Sequence, residues 1–258
     1  MLFPFSHDGR ALSVFALDPT ANPNFLALFL VPIAAFTLAQ LTDLQKQQFI
    51  LWPALLLNFI AIVLSRSRGG ILGLTLGILF VLLTRFKKNL WGRVGIVVIV
   101  MLVVTGIYRS LPNLAATPNS GRIASSNNIR YEIWKTTREM LASPKPIFVG
   151  FGLGNYQQTF TEFTKDRVNY PEFIAPEALT PHNLVLALWA NGGLLMVMSF
   201  IWLIVVAFKK RGGLAAQSAL IALLGHGLVD TPYFKNDLSV LFWIIIVLIM
   251  ISGKYDTA

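Results

Sequence analysis

Apolar residues fall in long, nearly uninterrupted runs, and those runs govern the reading of the chain. Seven stretches are candidates to cross a bilayer: 24–41, 48–65, 69–86, 94–110, 182–208, 212–231 and 238–252. A bilayer's hydrocarbon core is about 30 Å thick and takes about 17–25 apolar residues per helix. Helices are the expected form, because a spanning helix satisfies its own backbone hydrogen bonds where water is absent. The least apolar candidate is the sixth, which contains Gln217, His226 and Asp230. Residues 1–23 carry Asp8, Asp18 and several Pro and Gly, and lack the basic start and apolar stretch of a signal peptide. The chain thus divides into a loop (1–23), four helices (24–110), a long polar loop (111–181), three helices (182–252) and a tail (253–258). The predicted class is an all-α polytopic membrane protein with about seven transmembrane helices. A membrane protein that begins within a loop is expected to be a truncated chain.

The long loop has structure of its own. Ile129, Ile133, Trp134, Met140 and Leu141 recur near helical spacing and predict a helix over 128–142, ended by Pro144 and Pro146. Residues 150–155 read Gly-Phe-Gly-Leu-Gly-Asn, a turn. Residues 156–165 predict a second, aromatic-rich helix of a kind that commonly lies along a membrane surface.

Charge orients this pattern. Only 13% of residues are charged and 55% are hydrophobic, against about 25% charged in soluble domains. The net charge is +9, but the basic residues sit in short clusters between apolar runs. That is how topology signals are placed, and it argues against a nucleic-acid partner. Arg85, Lys87, Lys88 and Arg93 follow the third span, and Lys209, Lys210 and Arg211 follow the fifth. Placing both clusters in the cytoplasm puts residues 1–23, the turn at Arg66 and Arg68, the long loop and residues 232–237 outside. Arg66 and Arg68 then break the positive-inside rule, which makes them candidates for function. The chain has no cysteine, so disulfides and thiolate metal sites are excluded.

Four features could carry chemistry. Two guanidiniums at a membrane boundary, Arg66 and Arg68, suit a pyrophosphate through paired donors and a fixed charge, or simply reach lipid headgroups. Gly69 and Gly70 beside Arg68 would let backbone approach a ligand. In Leu179-Thr-Pro-His-Asn183, Thr180 is a plausible N-cap with Pro181 at the first helical position. His182 would then lie in the first turn, where the helix dipole favours the neutral imidazole that a general base requires. A capping or interfacial histidine is the plainer reading. His226 and Asp230 are four apart and would share a helix face, as an oriented pair, as a metal pair without a third ligand, or as a buried pair holding helices together. Gly150, Gly152 and Gly154 form a tight turn or an anion-binding nest, and no βαβ unit surrounds them. Arg130 adds a further guanidinium or lies on a solvated helix face.

Taken in order, several segments resemble the O-antigen ligase and polymerase family of bacterial membrane glycosyltransferases. They are Ser65-Arg-Ser-Arg-Gly-Gly70, Arg130-Tyr-Glu-Ile-Trp134, Pro146-Ile-Phe-Val-Gly-Phe-Gly-Leu-Gly-Asn155, and Pro181-His-Asn-Leu184 followed by Ala190-Asn-Gly-Gly193. The resemblance implies a GT-C-like helical fold in the bacterial inner membrane with its working side periplasmic or extracellular. It implies transfer of a glycan from undecaprenyl pyrophosphate to a sugar hydroxyl on lipid A–core or another glycan, with neither metal nor nucleotide cofactor. Arg68 and Arg130 would bind the pyrophosphate and His182 would position or deprotonate the acceptor. Arg66, Gly152, Gly154, Asn183, His226 and Asp230 would line the substrate site. Family members usually carry several more helices ahead of the point where this chain starts, which again implies a truncated form. They often have an acidic residue near Asn191, where this chain has none, so the resemblance names no acidic partner for His182. The competing expectation is a membrane protein without chemistry: a transporter, a lipid-handling protein or an inactive relative. Against transport, the polar residues cluster at the outer helix ends and no repeat is visible.

Overall fold

The computed structural model describes residues 23–42, 49–85, 126–167, 179–210, 213–234 and 236–252, with part of 92–106. The loop 1–22, part of the fourth predicted span, residues 111–125 and 168–178, the tail 253–258, and Lys87, Lys88, Arg93 and Arg211 lie outside the described residues. Residues 94–98 of that fourth span are helical.

All regular structure among the described residues is helical: α1 (Pro23–Leu41), α2 (Leu51–Ser65), α3 (Arg68–Arg85), α4 (Ser126–Leu141), α5 (Pro144–Val149), α6 (Tyr156–Thr164), α7 (Leu184–Lys209), α8 (Leu214–Gly227) and α9 (Asn236–Ser252). Asn24–Leu41 in α1, all of α3 and all of α7 are long and apolar enough to cross a membrane. Helix α2, helix α8 and Asp237–Ser252 in α9 are apolar but shorter. The chain is an all-α membrane protein.

It divides into two compact units. The first takes Met1–Pro112, Ala207–His226 and Lys235–Ala258. Here α1 packs against α2 and α3 and touches α9. Between apolar helices in lipid, attraction comes from close backbone approach and from hydrogen bonds between helices. Both are present. Gly73 and Gly77, one turn apart on α3, face α8 and α1: a side chain at Gly73 would meet the backbone at Ala222, and one at Gly77 would meet Ala35 and Ala222. The Ser218 hydroxyl on α8 donates to the Ala35 carbonyl of α1 at 3.0 Å, with its own helix's Ala215 carbonyl at 2.8 Å as the alternative acceptor.

The second unit takes Asn113–Val206 and Gly227–Phe234. Its core joins Ile133 and Met140 of α4, Tyr156 and Phe160 of α6, and Ala190 of α7. The Tyr156 hydroxyl lies 2.7 Å from Thr137 Oγ1, so the polar end of that ring is satisfied inside the core. Helix α6 therefore turns its aromatic face to α4 rather than to a membrane surface. Arg167 closes the far end, pairing with Glu139 at 2.8 Å and lying over the Phe163 ring. Pro144 does more than end α4. It sits in the first turn of α5, after extended Ser143, where a proline's missing N–H costs nothing.

The predicted span 182–208 begins later and is interrupted. Helix α7 starts at Leu184, and Gly193 inside it has φ 68°, ψ −168°. The break has a packing cause: a Cβ at Gly193 would land on the Phe148 carbonyl and Val149 nitrogen at the end of α5. The backbone of α5 is seated against α7 where only glycine leaves room. Two bonds fix the seat, Trp189 Nε1 to the Ile147 carbonyl at 2.9 Å and the Phe151 amide to the Ala190 carbonyl at 2.6 Å.

Candidate functional site

The cap of α7 decides where His182 lies. The expected arrangement put Thr180 at the N-cap and His182 in the first turn. Instead the Asn183 side chain accepts the Leu186 amide at 3.0 Å, the N-cap to N3 bond, and the Asn183 carbonyl accepts the first helical bond from Ala187 at 2.9 Å. Asparagine caps better than threonine. His182 is thereby moved outside the helix, into a left-handed backbone at φ 47°. For a residue other than Gly, Asn or Asp this conformation costs about 1–2 kcal/mol, and the surroundings hold it. Trp134 Nε1 donates to the His182 carbonyl at 3.3 Å. Asn183 Nδ2 donates to the Leu228 carbonyl at 2.8 Å. Thr231 and Thr180 hydroxyls meet at 3.2 Å. These ties join α4, the start of α7 and the segment 227–234 around one residue.

Within that frame His182 Nδ1 faces Asp230 Oδ1 at 3.5 Å, an ion-pair contact at the outer edge of hydrogen-bond range. The Asp230 side chain is 3% exposed and its Oδ1 also accepts the Thr231 amide at 2.8 Å. The His182 side chain is 22% exposed while its Nδ1 is buried, so the accessible part of the ring is elsewhere. A carboxylate on Nδ1 favours the tautomer protonated there, which leaves Nε2 as the ring's basic nitrogen. Among the described residues no third His, Asp or Glu completes a metal-binding group.

The shared helix face expected for His226 and Asp230 does not form. Helix α8 ends at Gly227, so Asp230 sits beyond it in a turned segment, where the four-residue helical spacing has no meaning. His226 belongs to the first unit, 1% exposed and close against Gly73.

The other candidates divide between the units. Arg130 is in the second, half-buried and four residues before Trp134 on α4. Residues four apart share a helix face, so Arg130 lies on the side of α4 that reaches His182. Arg66 and Arg68 are in the first unit, both half-buried, alternating with buried Ser65 and Ser67. Arg66 closes α2 in a left-handed conformation at φ 52°. Ser67 caps α3 through the Gly70 amide at 3.2 Å, so Arg68 is the first residue of a helix whose N-terminus favours anions. Gly70 serves packing rather than ligand approach, since a side chain there would strike Ala27 of α1 at 2.9 Å.

Two expected ligand groups are already engaged. The Gly154 amide donates to Asn191 Oδ1 at 3.1 Å, which docks the glycine turn on α7 instead of leaving that N–H to an anion. Asn183 uses both ends of its amide within the protein, as described. Gly152, at φ 92°, faces the Asn155 side chain. Trp134 was legible only as an apolar helix position, because nothing in its spacing reports an indole N–H bonded to a residue far along the chain.

A family model described as O-antigen ligase matches residues 53–201, more than half of the chain. No curated protein matches.

Proposed function

Because the chain belongs to the O-antigen ligase family, and is therefore a membrane glycosyltransferase of that kind, we propose that it moves a glycan from undecaprenyl pyrophosphate to a sugar hydroxyl with His182 as base. The observation that carries this reading is the buried Asp230 carboxylate on Nδ1 of a histidine whose carbonyl is bonded by Trp134 and whose neighbour Asn183 is tied to Leu228. Nε2 takes the proton of the acceptor hydroxyl. The freed oxygen attacks the anomeric carbon, the bond from that carbon to the pyrophosphate oxygen breaks, and undecaprenyl pyrophosphate leaves with the electron pair. The product is inverted at that carbon. Arg130 and Arg68 bind the pyrophosphate and stabilise the charge that grows on it, so cationic stabilisation replaces a general acid. The acceptor is lipid A–core or another glycan, and the site opens on the outer face of the bacterial inner membrane, an orientation that the basic residues following the third and fifth predicted spans support.

The test is transfer from a purified undecaprenyl-pyrophosphate glycan in proteoliposomes, with the linkage of the product read by NMR. An inverted linkage is expected, and Arg130→Ala and Arg68→Ala each lower kcat/KM by about 10²–10³-fold, the scale for losing one charge-stabilising group. A retained linkage, or full activity in both variants, would sink the assignment.

Trp134 acts through His182. Trp134→Phe keeps the packing ring and removes the N–H, so stability falls by only about 0.5–1.5 kcal/mol. Turnover is expected to fall by up to about 10²-fold, the cost of a small misplacement of a reacting group, with KM nearly unchanged. An unchanged kcat would remove Trp134 from the site.

A further inference from the structure

Phe151 of the turn after α5 packs against the unit's core and Ile147 is half-buried, but the other apolar residues at the end of α5 and in the turn are uncovered. Phe148 is 60% exposed and Leu153 is 74% exposed, with Val149 exposed between them. Lys145, one turn before, is also exposed. A soluble surface rarely keeps such a cluster without a use.

Their height on α7 says what covers them. Twenty residues of helix, about 30 Å, span the hydrocarbon core. Counted back from Phe208, just before the Lys209–Lys210 end of α7, that length reaches Trp189. Trp189 and Ala190 are the residues to which α5 and the turn are hydrogen bonded. Tilt, or the break at Gly193, would only set this level deeper. The exposed residues of α5 therefore stand at the boundary of the bilayer opposite the Lys209 end. They also continue a lipid-facing stripe on α7, where Leu195, Met198 and Trp202 are exposed. An apolar tip with a lysine behind it and a tryptophan at the same level is the composition of an interfacial anchor.

We propose that α5 and the Gly150–Gly154 turn form a wedge inserted into the lipid at that interface, with Phe148, Val149 and Leu153 among the acyl chains and Lys145 at the headgroups. The occupant of this surface is bulk phospholipid. The glycine turn is docked on α7 through Asn191 and Ala190, so the wedge sets the height of the second unit on the bilayer.

The natural absence of cysteine makes the test direct. Phe148→Cys, Leu153→Cys, Ile201→Cys and Lys135→Cys are each labelled with a fluorescent bimane in the full chain. The proteins are reconstituted in phosphatidylethanolamine–phosphatidylglycerol vesicles. Labels at 148 and 153 are expected to be quenched severalfold more by a nitroxide near the lipid headgroup than the label at 135. The label at 201, within the span, is expected to respond best to a nitroxide deep in the acyl chain. Quenching at 148 and 153 by aqueous iodide, to the level seen at 135, would overturn the proposal. Protection at both positions from lipid nitroxide and iodide alike would also overturn it, by showing that protein covers the surface. Neither readout requires glycan transfer, so failure here is separate from failure of the catalytic reading.

Discussion

His182→Asn is expected to abolish most glycan transfer while leaving the protein folded: kcat falls by about 10²–10⁴-fold, the usual contribution of a positioned general base. Asparagine is the informative replacement. His182 occupies a left-handed backbone at φ 47°, which asparagine tolerates better than alanine does. His182→Ala would add a backbone cost of about 1–2 kcal/mol and confuse lost chemistry with lost structure. The polypeptide ties around the residue survive the change to asparagine, because Trp134 bonds the His182 carbonyl and Asn183 bonds Leu228 and Leu186 without using the imidazole. The expected variant therefore melts near the wild-type temperature in detergent, binds donor and turns over slowly. Transfer at the wild-type rate would remove His182 from the chemistry.

The second large effect is structural. Gly193→Ala combines two faults: φ is +68°, and the added carbon meets the backbone of Phe148 and Val149, which cannot rotate away. The first, at ψ −168° in a region essentially confined to glycine, costs about 1–3 kcal/mol, and the second about 1–3 kcal/mol for overpacking. Two other glycines separate these terms. Gly154 has φ +81° with nothing near the added carbon, so Gly154→Ala bears only the backbone cost. Gly213 has an ordinary backbone and its nearest neighbour, Ser252, is 3.6 Å away, so Gly213→Ala is close to neutral. Thermal unfolding in one detergent is expected to rank them Gly193→Ala lowest, Gly154→Ala intermediate and Gly213→Ala at wild type. Equal melting of Gly193→Ala and Gly154→Ala would mean that α5 does not press on α7 as described.

The helices were legible because membrane helices announce themselves by length and apolarity, and neither property depends on partners. The turn over 150–155 and the helix after it were legible from glycine spacing and aromatic periodicity. The break in α7 was not, since its cause is the backbone of α5 arriving from elsewhere, and hydropathy runs on smoothly through Gly193. The cap of α7 lies three residues later than expected, because Thr180 and Asn183 are both good caps and only the folded chain shows that Asn183 prevails. The shared helix face of His226 and Asp230 fails for a related reason. Spacing of four has meaning only inside a helix, and α8 ends at Gly227. Once the chain leaves the helix, Asp230 meets a residue contributed by the start of α7. The arginines could be identified as cations at a membrane edge from charge placement alone, and their local caps and packing are what the fold adds.

The central claim is that His182 and Asp230 work as one unit, and a double-mutant cycle on glycan transfer tests it most directly. Asp230→Asn alone is expected to lower kcat by about 10²-fold, through a misoriented ring. The double variant with His182→Asn is expected to be no slower than His182→Asn itself, because residues acting as a unit are far from additive. If the two losses multiply instead, Asp230 acts independently of His182 and the account of the site is wrong.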